Sequence, residues 1–206
     1  MSHITNTVLM IRPVQFRMNE QTAVNNFYQK KSENILPETV NAMATKEFDN
    51  MVEKLRKASI QVIVVQDTKE FDTPDSIFPN NWISFHKNGT IGLYPMFAKN
   101  RRLERKDSIL EAVEAAGFVI KTVVDYTEAE TDGFYLEGTG SILLDRENQK
   151  AYCALSARAD EELFIEFCED FEYTPVVFSA YQTVNDKREL IYHTNVMMCL
   201  GTTFAV

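Results

Sequence analysis

Apolar and polar positions follow two rhythms along this chain, a β-type alternation and a helical spacing, and the order in which they appear repeats. Residues 5–11 read as a short apolar strand ending at Arg12-Pro13, because proline has no amide hydrogen to continue a ladder. The polar stretch 19–32 fits a loop or a short helix. From Pro37, which suits a first helical turn, Val40, Met43, Phe48, Met51, Val52 and Leu55 recur at roughly helical spacing and predict a helix running into Ile60. Gln61-Val62-Ile63-Val64-Val65 then predicts a buried strand.

After a turn at Asp72-Thr73-Pro74-Asp75, the runs Trp82-Ile83-Ser84-Phe85 and Ile91-Gly92-Leu93-Tyr94 flank Lys87-Asn88-Gly89. Asn-Gly between apolar runs is a strong hairpin signal. A helix is expected over 99–116 on Leu103, Ile109, Leu110 and Val113, closed by Gly117, with a strand over 118–124. The order then recurs: a hairpin over 136–155 turning at 145–150, a helix from Ser156, whose side chain can cap it, and a strand over 174–180. Residues 191–198 begin a third copy. Asn81, Glu137 and His193 stand at the polar entries of the three hairpins, 56 residues apart. A repeating strand-strand-helix-strand unit of this period predicts an α/β repeat architecture such as a propeller-like ring, with about 3.7 units in 206 residues. In such a ring the three polar residues converge near the axis.

Composition narrows the partners. A chain that is 45% hydrophobic can bury a real core. Its net charge of -9 argues against nucleic acid or anionic membrane, and the locally basic Arg101-Arg102 with Arg105 and Lys106 is expected to be a solvated helix face. Three cysteines without CxxC spacing support neither a disulfide framework nor a zinc site, so Cys153, Cys168 and Cys199 are read as buried structural thiols and the compartment as a reducing cytoplasm. No segment has the length of a membrane span. His3 and His86 have no acid or cysteine at a telling spacing, and Arg12 is expected to form a surface ion pair.

Three motifs carry a resemblance: Pro74-Asp75-x-x-Phe78-Pro79-Asn80-Asn81-Trp82, Leu136-Glu137-Gly138-Thr139-Gly140-Ser141, and Tyr192-His193-Thr194-Asn195. In this order they resemble the guanidino-group-modifying enzymes of the pentein superfamily. These include arginine deiminase, dimethylarginine dimethylaminohydrolase and amidinotransferases, and the bacterial amidinotransferase or citrulline-utilisation hydrolase-type proteins are the nearest in pattern. The resemblance implies a five-unit α/β propeller, here one domain over residues 1–206 that is incomplete at the C-terminus, and a cysteine nucleophile assisted by a histidine and an acid. By motif position Glu137 is the acid and His193 the histidine; Asn81, Asn80, Asp75 and Asn195 are the expected substrate contacts. No metal or organic cofactor is expected.

Two departures shape the expectation. Asn80 and Asn81 replace acids of the family motif, and neutral amides suit a ureido group, as in citrulline, at least as well as a guanidinium. No cysteine stands in the nucleophile context, so the chain reads as truncated and inactive alone. The reading is a hydrolase acting on the guanidino or ureido C–N bond of an arginine- or citrulline-like amino acid, with amidino transfer or a non-catalytic pentein-fold binding protein as alternatives. Unpaired strand edges left by an open ring would favour association with another copy.

Overall fold

The computed structural model describes residues 4–30 and 34–206; His3 and the end of the polar stretch near Ser32 lie outside the described residues. The chain packs as two compact units, one built from Thr5–Pro79 with Ala98–Ile120, the other mainly from Asn80–Phe97 with Lys121–Val206.

In the first unit, β1 (Thr7–Arg12) and β2 (Gln61–Gln66) pair in parallel from Thr7 opposite Gln61 to Arg12 opposite Gln66. Parallel strands need a long crossover, and most of it is helical: a short α1 (Glu20–Ala23), capped by the Asn19 side chain, and the long α2 (Pro37–Lys57). Pro37 opens α2 as expected, with Glu38 in the first turn and Lys54, Arg56 and Lys57 in the last, which complements the helix dipole at both ends. The predicted apolar stripe is narrower than its pattern. Phe48 and Val52 are buried against Val62, whereas Met43 and Met51 are exposed.

The helix expected over 99–116 is two elements. A 3-10 helix (Lys99–Glu104) precedes α3 (Asp107–Ala115), with an extended Lys106 between them. The tighter 3-10 winding eclipses residues three apart and sets Arg101 over Glu104, a buried pair, while Leu103 is exposed. Arg101 is therefore not part of a solvated face.

The second unit holds two three-stranded sheets of the same strand order. In one sheet β3 (Ile83–Phe85) is antiparallel to β4 (Thr90–Leu93), which is parallel to β5 (Thr122–Asp125). In the other, following α4 (Gly138–Ser141), β6 (Ile142–Asp145) is antiparallel to β7 (Lys150–Ala154), which is parallel to β8 (Thr174–Phe178). Helix α5 (Glu161–Asp170) bridges β7 and β8 and buries Phe164, Phe167 and Cys168 against Tyr94, Tyr126, Leu136, Ile142 and Cys153. Each fully buried aromatic of this cluster contributes about 1.5–3 kcal/mol relative to an exposed one.

Three expected elements differ. Helix α5 starts after Asp160, whose Oδ1 accepts from the amides of Glu162 (3.0 Å) and Leu163 (3.1 Å). Ser156 does not cap it, since its hydroxyl donates to the Tyr192 carbonyl at 2.8 Å. The segment after Leu136 is not yet strand, because Gly138 (φ +40°) turns the backbone into α4. Residues 191–198 form no strand either. A hairpin of β9 (Tyr181–Val184) and β10 (Lys187–Leu190) comes first, turned by Asn185 and Asp186 at positive φ. A 3-10 helix (Thr194–Val196) then follows His193, with the Thr194 hydroxyl accepting from the Ala154 amide and donating to the Ser141 carbonyl. Side-chain bonds there take the place of a ladder.

Candidate active site

Glu137 precedes α4, and its carbonyl accepts from the amides of Gly140 (3.0 Å) and Ser141 (3.1 Å). Its own amide donates to the Arg158 carbonyl at 3.1 Å, so the acid is fixed to the loop before α5 by main chain alone. The side chain is fully buried, and an isolated carboxylate there would cost several kcal/mol. Hydrogen-bond donors around it offset that cost. The Phe97 amide reaches Oε1 at 3.1 Å, His193 Nε2 lies 2.7 Å from Oε2, and Arg158 Nη1 lies 3.4 Å from the same oxygen.

Arg158 is itself buried, with its guanidinium 4.8 Å from the centre of the Tyr192 ring and 5.9 Å from that of Phe97. The aromatic faces replace part of the hydration an arginine loses on burial. Tyr192 also packs on His193, ring centres 4.6 Å apart, and so buttresses the base and the cation together.

The neighbouring glycine explains how a third polar residue enters. A Cβ at Gly140 would collide with Asn81 Nδ2 and sit 2.8 Å from both His193 Nδ1 and Cε1. Without it, the Asn81 amide and the far side of the His193 ring can both approach the bare backbone of Gly140. Asn81, Glu137 and His193, predicted to converge, do so within the second unit. The strand positions do not keep the 56-residue period, because α4 intervenes between Glu137 and β6 whereas Asn81 lies in a 3-10 turn (Pro79–Asn81) two residues before β3. The convergence is a product of the turns.

The other expected residues fare differently. Asn80 supplies its carbonyl to the Thr139 hydroxyl at 3.2 Å, bracing the same turn. Asn195 is exposed on the 3-10 helix after His193. Asp75 belongs to the first unit, where Oδ2 accepts from Asn19 Nδ2 (2.8 Å) and the Thr22 hydroxyl (3.1 Å) in a buried amide cluster with Asn100. Arg12 pairs with Asp49 through two 2.8 Å bonds on the surface, as expected, and its hydrogen bond holds the Asp49 carboxyl below the usual carboxylate range.

Arg158 escaped the sequence reading. Its partner acid is 21 residues upstream, so no local spacing announces the pair. His86 is also not the isolated residue it resembled: it is buried, stacks on Phe171 at 4.2 Å and lies 2.9 Å from Ser84 Oγ. Burial, with Arg146 nearby, pushes its pKa down to about 3. Cys153 and Cys168 are buried, and desolvation pushes both thiols up to about 12; Cys199 is exposed, against expectation, because residues 191–198 form no strand to bury it. Among the described residues no group of three or more His, Cys, Asp or Glu side chains is arranged to hold a metal ion, and no helix is long and apolar enough to cross a membrane.

Comparison with known proteins extends these observations. The N-terminal domain of ArgZ bound to substrate, described as an arginine dihydrolase from the ornithine-ammonia cycle in cyanobacteria, matches 97% of this chain at 16% identity and a TM-score of 0.68. The chain spans 65% of that domain. A mutant of AgrE in complex with L-arginine matches 97% of the chain at 17% identity and a TM-score of 0.69, over 26% of its own length. A dimethylarginine dimethylaminohydrolase adduct with 4-chloro-2-hydroxymethylpyridine matches 96% at 14% identity and a TM-score of 0.60, over 66% of its length. At these identities the likeness is one of fold, a mixed α/β fold shared with part of each enzyme. No curated protein matches the chain by sequence. Residues 12–206 match the family described as N,N dimethylarginine dimethylhydrolase, eukaryotic, and the chain belongs to that family, within the pentein superfamily.

Proposed function

We propose that the Glu137–His193 pair, with Arg158 and Asn81, is the acid and base half of a centre that hydrolyses a guanidino or ureido C–N bond in an arginine- or citrulline-like amino acid. The observation that carries this reading is the 2.7 Å contact between His193 Nε2 and a fully buried Glu137, with the Asn81 amide and the same imidazole both crowding Gly140. We further read the two three-stranded sheets as units of the α/β propeller implied by the family.

Each group has a task in that chemistry. A carboxylate can accept from the planar nitrogen fork of the substrate and orient its central carbon. Histidine can protonate the departing ammonia or amine and then deprotonate the incoming water. Glu137 is already partly neutralised by Arg158, and Asn81 brings an uncharged amide that both donates and accepts. A group that need not be cationic fits this balance, which favours a ureido carbon beside a guanidino one.

The attacking atom must be a thiolate or its equivalent. Buried thiols pushed up to about 12 do not ionise near neutral pH, so neither Cys153 nor Cys168 fills that role. Cys199 is exposed at the start of a short pairing with Val206, where its amide and carbonyl bond the terminal residue. We place the nucleophile outside these three cysteines and expect the 206-residue chain to bind without turnover.

Isothermal calorimetry of this chain with L-arginine, L-citrulline and dimethylarginine tests the proposal. Heat that saturates with at least one of them is the expected result. Silence with all three, or turnover abolished by Cys199→Ser, would contradict it.

A further inference from the structure

Tyr94 joins two parts of the second unit that the proposed chemistry leaves unconnected. Its side chain is fully buried, and its hydroxyl lies 2.6 Å from Ser84 Oγ, which lies 2.9 Å from His86 Nε2. Burial raises the Tyr94 hydroxyl above its ordinary range and keeps the imidazole neutral, so the row is held by hydrogen bonds between uncharged groups. His86 is in turn clamped by the Phe171 ring. Gly92, opposite Ser84 on β4, makes the row possible, because a Cβ there would lie 2.6 Å from Tyr94 Oη.

The other edge of the ring meets the acid's turn. A Cβ at Gly138 would lie 3.0 Å from Tyr94 Cδ2, 2.5 Å from the Asn80 carbonyl and 2.9 Å from the Asn81 carbonyl. Gly138 is thus pressed between the ring and the 3-10 turn that carries Asn81, at the positive φ that directs Glu137. The chain leaving Tyr94 completes the hold: the Pro95 carbonyl accepts from the Leu136 amide at 3.2 Å, and the Phe97 amide donates to the Glu137 carboxylate.

We infer that Tyr94, locked by Ser84 and His86, is a positioning residue that sets the Glu137–Gly138 turn and thereby the contact of Glu137 with His193. The inference rests on the reading of that pair as the working acid and base. It assigns the buried Ser84-His86 row a purpose: side-chain rows of this kind hold a ring at a fixed tilt, and the tilt is what Gly138 feels.

The test is the pH titration of the His193 ring, followed by NMR in the full chain labelled at histidine, because His193 bonds the Glu137 carboxylate that Arg158 also approaches and packs on the Tyr192 ring, and its midpoint reports the carboxylate's approach. Glu137→Gln should lower the midpoint by about 1 unit or more, the usual effect of removing a close opposite charge. Tyr94→Phe and Ser84→Ala, which keep the ring and most of the packing, should each move it part of the way in the same direction. Phe164→Leu, a change in the same core, should lower the melting temperature while leaving the midpoint in place. If Glu137→Gln shifts the midpoint and neither Tyr94→Phe nor Ser84→Ala does, the positioning role is wrong. It is equally wrong if Phe164→Leu shifts the midpoint as far as they do. If Glu137→Gln itself leaves the midpoint unmoved, the acid-base reading falls instead.

Discussion

Two buried arginine–glutamate pairs in this chain solve the same electrostatic problem in different ways. In the first unit Arg101 meets Glu104 three residues on, Nε to Oε1 at 3.0 Å and Nη2 to Oε2 at 2.9 Å, a fork that uses both carboxylate oxygens. In the second unit Arg158 approaches Glu137 at 3.4 Å, and the carboxylate is shared with His193 and the Phe97 amide. The first pair is a local fork, its Nη2 donating also to the Phe78 carbonyl at 2.9 Å, and a fork of this kind fixes a short 3-10 turn. The second is loose at the arginine and tight at the histidine, drawn from turns 21 and 56 residues apart. Burial and charge are alike in both. The difference between them is a titratable partner on the Glu137 carboxylate.

The difference can be broken from either side. The largest effect is expected at the forked pair. Glu104→Ala takes the carboxylate of the fork away from a buried guanidinium and should cost about 3–5 kcal/mol in urea unfolding, while the surviving folded protein binds ligand normally. At the shared pair Glu137→Gln is nearly isosteric and keeps an acceptor for the Phe97 amide, so its stability cost should be smaller, about 1–3 kcal/mol, with the main loss in ligand affinity. Equal stability costs at the two sites, with ligand affinity untouched by Glu137→Gln, would erase the contrast.

His86 is a buried titratable group outside both pairs. The folded pKa of His86 is about 3, far below an unfolded histidine near 6.5. Below the unfolded value the unfolded chain takes up a proton that the folded chain does not, so stability rises with pH and falls as pH drops from about 6.5 toward 3. The slope from this one group approaches about 1.4 kcal/mol per pH unit. His86→Asn should flatten that part of the stability-pH curve relative to the parent chain, and an unchanged slope would show that His86 takes up its proton in the fold. The smallest effect is expected at Cys199: Cys199→Ser should leave both ligand affinity and melting temperature within error, since the residue is exposed and lies outside the proposed acid-base pair.

Much of the scaffold was legible in the sequence where the signal was local. Asn88-Gly89 turned the β3–β4 hairpin, Pro37 opened α2 and Gly117 closed α3 as their chemistry predicts. The element order strand, strand, helix, strand is present for β6, β7, α5 and β8. What failed had partners far along the chain. Ser156 is a good cap in isolation, yet its hydroxyl serves Tyr192, 36 residues on. Residues 191–198 have strand-like composition, but Thr194 bonds Ala154 and Ser141 instead of a neighbouring strand. The basic run at 101–106 looked solvated because its acid partner, Glu104, sits inside it. Of the candidate site, Glu137, His193 and Asn81 stand in motifs legible in the sequence, while Arg158, Tyr94 and the Ser84-His86 row become visible only where the turns bring them together.

The central claim is that the carboxylate shared by His193 and Arg158 serves a ligand. Calorimetric titration of the parent chain and of Glu137→Gln, side by side, with L-arginine and with L-citrulline addresses it most directly. Saturable binding of at least one of them by the parent, weakened at least about tenfold in Glu137→Gln, a loss of about 1.4 kcal/mol, is the predicted result. Equal affinity in the two proteins, or no binding by the parent, would contradict it.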